Sequence, residues 1–424
     1  MSRIARICKA AVLAALVATP PAMAQENPLA RPGNPVAEPS NPLAAGNAAS
    51  RPAAVPAWMK RGARVTYLSS SAMVPGETEV LVPDAGGRWV GRDGRRFSVG
   101  EARGNGAMSY NQYTFLGADE RAVVADHRTY QLRDADPNGR CTNKGSTLAT
   151  GTPAGLGPIY VSPAVLAGLQ TQPGGATVTR GPFPWEGKTY TAVTRETRTG
   201  QSFERLTYDL ESGLLLVFQY SMVGGVSMVP GANGVSRAGK GTTSVGTLTL
   251  AGVRQLEMPW PEDGFTRWAA GRTVNFRGVF QTFVPGGRMV EQAAVSSVVF
   301  GQPEQGWVSV KTTTRIDGLV PGAPPLETVS DGAGSPHTGT PYWIDPAALR
   351  RLKPGQVIDQ DPVTKYRVFV AEGEAGGITL VEEGPLDRSR AVYDPQTGMA
   401  TSTVFEVAPE VGGMRMILRA EGAR

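Results

Sequence analysis

The sequence predicts a mainly β protein built from two related antiparallel domains. Each is read as a curved, half-barrel-like sheet with one short helix, the pair arising by internal duplication. Three observations lead there. The 424 residues include 53 Gly and 34 Pro, which means many turns. Several stretches alternate with period two, the signature of half-buried strands. A turn-and-strand unit also occurs twice, as Tyr208-Asp209-Leu210-Glu211-Ser212-Gly213 and as Tyr393-Asp394-Pro395-Gln396-Thr397-Gly398. In each copy Asp opens the turn through its own backbone and Gly takes the φ > 0 position. Val217-Phe218 and Val223-Gly224-Gly225 follow the first copy, Val404-Phe405 and Val411-Gly412-Gly413 the second.

At the N-terminus Arg3, Arg6 and Lys9 precede the apolar run Ala10–Thr19, and Ala22-Met23-Ala24 supplies small residues for cleavage before Gln25. Residues 1–24 therefore read as a secretory signal peptide, which places the protein in the periplasm or outside the cell. A membrane anchor would need about 20 apolar residues, and this run is shorter and interrupted by Pro20-Pro21. Cleavage leaves no transmembrane segment. It also removes three of the 42 Lys+Arg and none of the 37 Asp+Glu, leaving 39 against 37, a net charge of +2. That near-balance argues against nucleic acid as a partner. Cys8 lies in the leader, so Cys141 is the one cysteine of the mature chain and no intramolecular disulfide can form.

Residues 25–56 are rich in Pro, Ala and Asn and poor in residues a core could use, so they read as a disordered linker. Asn27-Pro28-Leu29-Ala30, Asn34-Pro35-Val36-Ala37 and Asn41-Pro42-Leu43-Ala44 recur within it every seven residues. The repeats suit either a spacer or a multivalent docking tail.

The first β domain is assigned to 57–232, a Gly-rich linker to 233–246 and the second β domain to 247–424. Five landmarks recur in the same order. Trp58, Gly62, Val65 and Tyr67 match Trp268, Gly271, Val274 and Phe276, and Val74-Pro75-Gly76 matches Val284-Pro285-Gly286. Tyr160, Pro163, Ala164, Leu166 and Leu169 match Tyr342, Pro346, Ala347, Leu349 and Leu352, ahead of the paired turns and Val-Gly-Gly runs. Their offsets place about 27 extra residues in the first copy, in an insertion at about 77–159. The third landmark is the helix. Ser162 and Asp345 are N-caps, each Pro sits at the first helical position, and the Leu pairs share a face. Trp89–Phe97 reads as a hairpin around Asp93-Gly94, and Thr189–Arg198 and Trp307–Arg315 read as strands.

Candidate sites are few. The histidines are His127, in the strand-like run Arg121–Leu132, and His337, in a loop after Ser335-Pro336. Neither has a cysteine or carboxylate at metal-ligand spacing, and there is no G-x-S-x-G elbow for a serine nucleophile. Asp134, Asp136 and Asn138 follow the start of a calcium loop and are the candidate Ca²⁺ ligands, because three oxygens at alternate positions before Gly139 can converge on a hard cation. Against this, Gly145 stands where the bidentate Glu belongs, and an Asx-Gly turn accounts for the same residues. Gly234, Gly239 and Lys240 resemble a phosphate loop but lack the following hydroxyl and a preceding strand, which leaves a linker. The carboxylate pairs Asp359/Asp361 and Glu382/Glu383 would serve a hydrolase if they met in one cleft at roughly 5–10 Å. Arg92, Arg95 and Arg96 surround an exposed turn and could meet an anionic headgroup.

These readings favour a non-enzymatic envelope protein that binds or scaffolds another component. The alternatives are a carrier for an apolar, lipid-like ligand in the concave face of the sheets and, further off, a carboxylate-dependent hydrolase. No resident cofactor is expected beyond the Ca²⁺ candidate.

Overall fold

The computed structural model describes residues 55–422 apart from 76–78, 85–87, 92, 98–105, 134–138, 225–229, 232–233, 236–241, 258–270, 285–287, 305–306, 319–323, 335–341, 374–375 and 412. The chain is mainly β, with two large antiparallel sheets, one in each half of the sequence.

The first sheet contains nine strands. Four precede the helix: β1 (Ala63–Pro75), β2 (Gly106–Ala118), β3 (Val123–Leu132) and β4 (Cys141–Gly151). After helix α1 (Pro163–Gly168) come β5 (Thr177–Trp185), β6 (Lys188–Arg198), β7 (Ser202–Asp209), β8 (Leu215–Val223) and β9 (Thr242–Gln255). Their spatial order is β5-β6-β7-β8-β9-β1-β2-β3-β4, so the last strand closes onto the first.

The second sheet contains ten strands with the same plan. Four precede the helix, β10 (Thr273–Val284), β11 (Arg288–Glu304), β12 (Trp307–Ile316) and β13 (Leu326–Gly334). After helix α2 (Pro346–Leu349) come β14 (Val357–Gln360), β15 (Arg367–Ala371), β16 (Ile378–Glu383), β17 (Asp387–Tyr393), β18 (Ala400–Val407) and β19 (Met414–Ala420). Here too the last strand, β19, pairs with the first, β10. The one strand without a counterpart is β14, at the sheet edge.

Alternation along the strands explains the layers. On β1, Val65 and Tyr67 point into a core shared with Phe115, Tyr160, Leu166 and Tyr208, while Arg64 and Thr66 point to the opposite face. In the second sheet Phe276, Val298 and Phe300 pack with Trp343, Leu349 and Tyr393. Each helix therefore lies over the inward face of its own sheet. Ser162 Oγ caps α1 by accepting from Val165 N–H, and Asp345 Oδ1 caps α2 by accepting from Ala347 and Ala348 N–H.

The two Tyr-Asp turns have the same construction. Asp209 Oδ2 accepts from the Ser212 amide at 2.9 Å, and Asp394 Oδ2 accepts from the Thr397 hydroxyl at 2.7 Å. Gly213 and Gly398 follow at φ +76° and +77°, where a Cβ would run into the carbonyls of Val161 and Ile344. An indole seals each turn. Trp58 Nε1 donates to Ser212 O at 2.9 Å, and Trp343 Nε1 donates to Thr397 O at 3.0 Å.

Several correspondences shift from those read in the sequence. Tyr160 and Trp343 each bridge the residue after the turn glycine, Leu214 and Met399, so Tyr160 corresponds to Trp343 and not to Tyr342. Val217 lies opposite Thr207 while Ser402 lies opposite Val392, so Val404-Phe405 sits two residues beyond the place of Val217-Phe218. The insertion is narrower than 77–159, because β2, β3 and β4 have counterparts in β11, β12 and β13. The surplus is the connection after β1, thirty residues (76–105) against three (285–287) after β10. Strand β9 crosses the expected boundary at 233–246 and pairs with both β1 and β8, so the first sheet runs to Gln255.

Within the long connection, Val82–Pro83, Trp89–Val90 and Arg96–Phe97 form a small sheet with Gly94 at φ +80°, the hairpin the sequence predicts. Leu81 and Trp89 pack on Ala72, Val74, Phe203 and Val245, on the side of the first sheet away from α1. The free edge β5 carries Pro182 and Pro184, which cannot donate to a further strand.

Candidate functional site

The polar residues with the most unusual surroundings lie where the outward face of the first sheet meets the second sheet. In a strand reading, Arg64, Gln112, Asp126 and Arg128 alternate with core residues and belong in water. Here all four are buried, along with Asp361 and Asp387 of the second sheet. Buried charge requires a partner, and the partners cross the seam.

At one end, Asp359 and Asp361 flank Gln360 and turn toward two arginines of the first sheet. Arg254 on β9 donates through Nη1 to Asp359 Oδ1 at 2.7 Å and through Nη2 to Asp361 Oδ2 at 2.9 Å. Arg64 on β1 donates to Asp359 Oδ2 at 2.8 Å, and Gln112 Nε2 donates to Asp361 Oδ2 at 2.9 Å. The other oxygen of Asp361 accepts from the amides of Val363 and Thr364. Burial works against ionisation of Asp361. The Thr364 amide and the two guanidiniums outweigh it and hold the carboxyl below its usual range.

In the middle, Arg128 on β3 bridges Asp126 Oδ2 at 3.0 Å and Glu382 Oε1 at 2.8 Å. Burial raises Asp126 against the opposing pull of Arg128. Glu383 points the other way, toward Arg388 at 3.9 Å on the outer face, as adjacent strand residues must.

At the far end, Tyr130 and Tyr366 lie with ring centroids 4.6 Å apart, among Leu132, Cys141 and Val363. The Tyr366 hydroxyl donates to Asp387 Oδ1 at 2.7 Å, and the Asn143 amide of β4 donates to Asp387 Oδ2 at 2.5 Å. The Cys141 thiol points at Thr364 O at 3.5 Å, and burial pushes its pKa up to about 12, which makes it unreactive. Nearby, Trp307 on β12 packs on Leu116, Val124 and Leu148, and β13 runs beside β4.

The seam settles where several sequence candidates sit. Asp359 and Asp361 come together on Arg64 and Arg254, and Glu382 is held by Arg128 further along the seam. His127 lies on the inward face, stacked on Tyr113 at 4.4 Å with Asn111 Oδ1 at 3.1 Å and Thr147 Oγ1 at 3.3 Å from its nitrogens. Burial lowers its pKa to about 4, so it is a neutral packing residue. Arg95 and Arg96 pair with Asp93 and Asp84. Asp134, Asp136, Asn138, His337, Lys240 and Arg92 lie outside the described residues. Among the described residues no group of three or more His, Cys, Asp or Glu has metal-binding geometry.

The inward faces are packed with side chains. Val65, Tyr67, Leu214–Val217 and Phe276 lie in continuous clusters, none more than 8% exposed. A shallow depression of about 110 Å³ on the outer face of the second sheet is lined by Arg388, Arg390, Val404, Glu406 and Arg415. Cross-strand register makes Glu383, Arg388, Glu406 and Arg415 one row of alternating charge, a common device on an exposed sheet.

No helix among the described residues is long and apolar enough to cross a membrane. No protein-family model matches the chain, and no curated protein is found related to it.

Proposed function

We propose that the protein is a secreted, periplasmic, non-enzymatic component of the cell envelope that binds or scaffolds a partner, tethered through residues 25–56. One observation carries this reading. Three of the four carboxylates that could have served a hydrolase are engaged in holding the two sheets together. Asp359, Asp361 and Glu382 are paired with Arg64, Arg254 and Arg128, and Cys141 is buried behind them. The carrier alternative draws less support, because helices and aromatic side chains occupy the inward faces where an apolar ligand would lie. We further propose that the two halves descend from one duplicated unit. Their shared strand order and the matching Asp-Gly construction of their Tyr-Asp turns support that history.

The test is made on the mature protein from its own periplasm. Photo-crosslinkers at Leu29, Val36 and Leu43 should capture one envelope component, and deletion of 25–56 should abolish that product. Native mass spectrometry of the purified chain should give the bare polypeptide mass. A lipid-sized adduct would move the assignment to the carrier. Absence from the periplasmic fraction would overturn the address.

A further inference from the structure

Five carboxylates converge on the seam, and they are not treated alike. Asp126, Asp359, Asp361 and Glu382 each have an arginine nitrogen within 2.7–3.4 Å. Asp387 is 7% exposed and has no cation within 4.0 Å among the described residues. What it meets are neutral donors, the Tyr366 hydroxyl from its own half and the Asn143 amide from the first sheet. The remaining groups around it do not neutralise it. Glu382, on the neighbouring strand, is a like charge, and Arg128 is already shared between Glu382 and Asp126. Lys144 of β4 lies alongside without forming an ion pair, and burial lowers its own pKa. The Cys141 thiol is neutral, and Arg388 points to the outer face toward Glu383.

An unpaired carboxylate in such a setting is costly to ionise and inexpensive to protonate. The site exists only while the sheets are together, because β4 supplies the Asn143 amide and closes Asp387 off from water. We propose that closing of the seam between the two sheets is coupled to uptake of one proton by Asp387.

The sign follows from the environment. Burial raises the Asp387 carboxyl from 3.8 to about 6, with Tyr366, Asn143 and Lys144 pulling it down and Glu382 pushing it up. A group whose pKa is higher in the closed state favours closing below its open-state value. That contribution fades as pH rises through about 6. Two pKa units correspond to a roughly 100-fold change in the closing equilibrium. Asp361 does not cancel this across pH 4–7, because its lowered pKa keeps it ionised throughout that window. Asp126, raised by burial, acts with the same sign as Asp387.

Amide hydrogen exchange of the full mature chain, corrected for the intrinsic pH dependence of exchange, provides the test. Peptides covering 141–145 and 359–366 should lose about 30-fold protection between pH 4.5 and 7.5, the part of the full factor that falls in that window. Peptides within 203–217, in the core of the first sheet, serve as the internal reference. Asp387→Asn, neutral at every pH, should remove most of the seam's dependence. Lys144→Met, which deletes the nearby cation, should move the midpoint to higher pH and remains informative if Asp387→Asn does not fold. A flat wild-type profile, an unchanged slope in Asp387→Asn or an unmoved midpoint in Lys144→Met would each overturn the proposal.

Discussion

The outward face of the first sheet and that of the second occupy the same place in their strand orders, yet one is buried and the other meets solvent. On β1, β2 and β3 the row Thr66, Gln112 and Arg128 lies under the second sheet, each residue 8% exposed or less. On β10, β11, β12 and β13 the corresponding row is Asn275, Ser297, Thr313 and Val329, flanked by Val295 and Val299, with the three valines 40–45% exposed. In this pair of rows the buried one carries the ionised side chain, and the open one carries small polar and β-branched residues, while the exposed charge of the second sheet lies on other strands, along Glu383, Arg388, Glu406 and Arg415. Buried ion pairs contribute little net stability compared with apolar packing, but they tolerate almost no change in geometry. In this molecule they define one register between the sheets.

Substitutions can break that comparison in order of size. Asp361→Ala removes a carboxylate that serves Arg64, Arg254 and Gln112 together, and should cost about 3–5 kcal/mol in chemical denaturation. A loss under about 1 kcal/mol would mean the seam is wetter than its burial implies. The turns come next. Gly213→Ala and Gly398→Ala both force a Cβ against a carbonyl at positive φ, and each should cost about 1–3 kcal/mol. Unequal losses would show that the two turns are built alike but not strained alike. Trp58→Phe and Trp343→Phe delete the indole donors and should each cost about 1 kcal/mol, measured as a fall in the unfolding midpoint. Val295→Thr and Val329→Thr, on the open face, should stay within about 0.5 kcal/mol of wild type.

His127, on the inward face of the first sheet, answers acid separately from the seam. Its pKa is lowered to about 4 in the folded chain, against 6.5 when exposed. Folding therefore loses stability as pH falls from 6.5 toward 4, because the unfolded chain takes up the proton first. His127→Gln should flatten that limb in denaturant midpoints recorded between pH 4 and 7, leaving the exchange behaviour of the seam unchanged. If the acid limb survives in His127→Gln, its cause lies elsewhere.

Much of the architecture was legible in the sequence because its signals are local. Asp209 and Asp394 bond within their own turns, Ser162 and Asp345 cap the next residues, and Trp307–Ile316 alternates as a strand. The start of strand β9 was hidden because Thr242–Gly246 continue the Gly-rich, polar composition of the residues before them. Only pairing to β1 and β8 on both sides makes it a central strand. The seam was hidden for a different reason. Arg64 and Asp361 are 297 positions apart, and the same alternation that sends Val65 inward assigns Arg64 to water. No local pattern distinguishes a strand face that meets solvent from one that meets another sheet. Of the eventual partners, Asp359, Asp361 and Glu382 drew notice as carboxylates, while Arg64, Gln112, Arg128 and Asp387 carried no signal.

The order of strands along the chain has a consequence for biosynthesis. The first sheet is complete at Gln255, but the residues that pair with the charged row of its outward face, Asp359 to Asp387, emerge more than a hundred positions later. At cellular synthesis rates of about 5–20 residues per second that interval is on the order of ten seconds. A first sheet that forms within that interval leaves Tyr110, Tyr130, Leu132 and the arginines of the seam uncovered, because Val363, Tyr366 and the acidic partners are still missing. The small sheet between β1 and β2 shields only the other end of that face, and it arrives early, from within the first half. A first half that folds ahead of its C-terminus therefore presents a sticky, charged surface until residues 359–387 arrive.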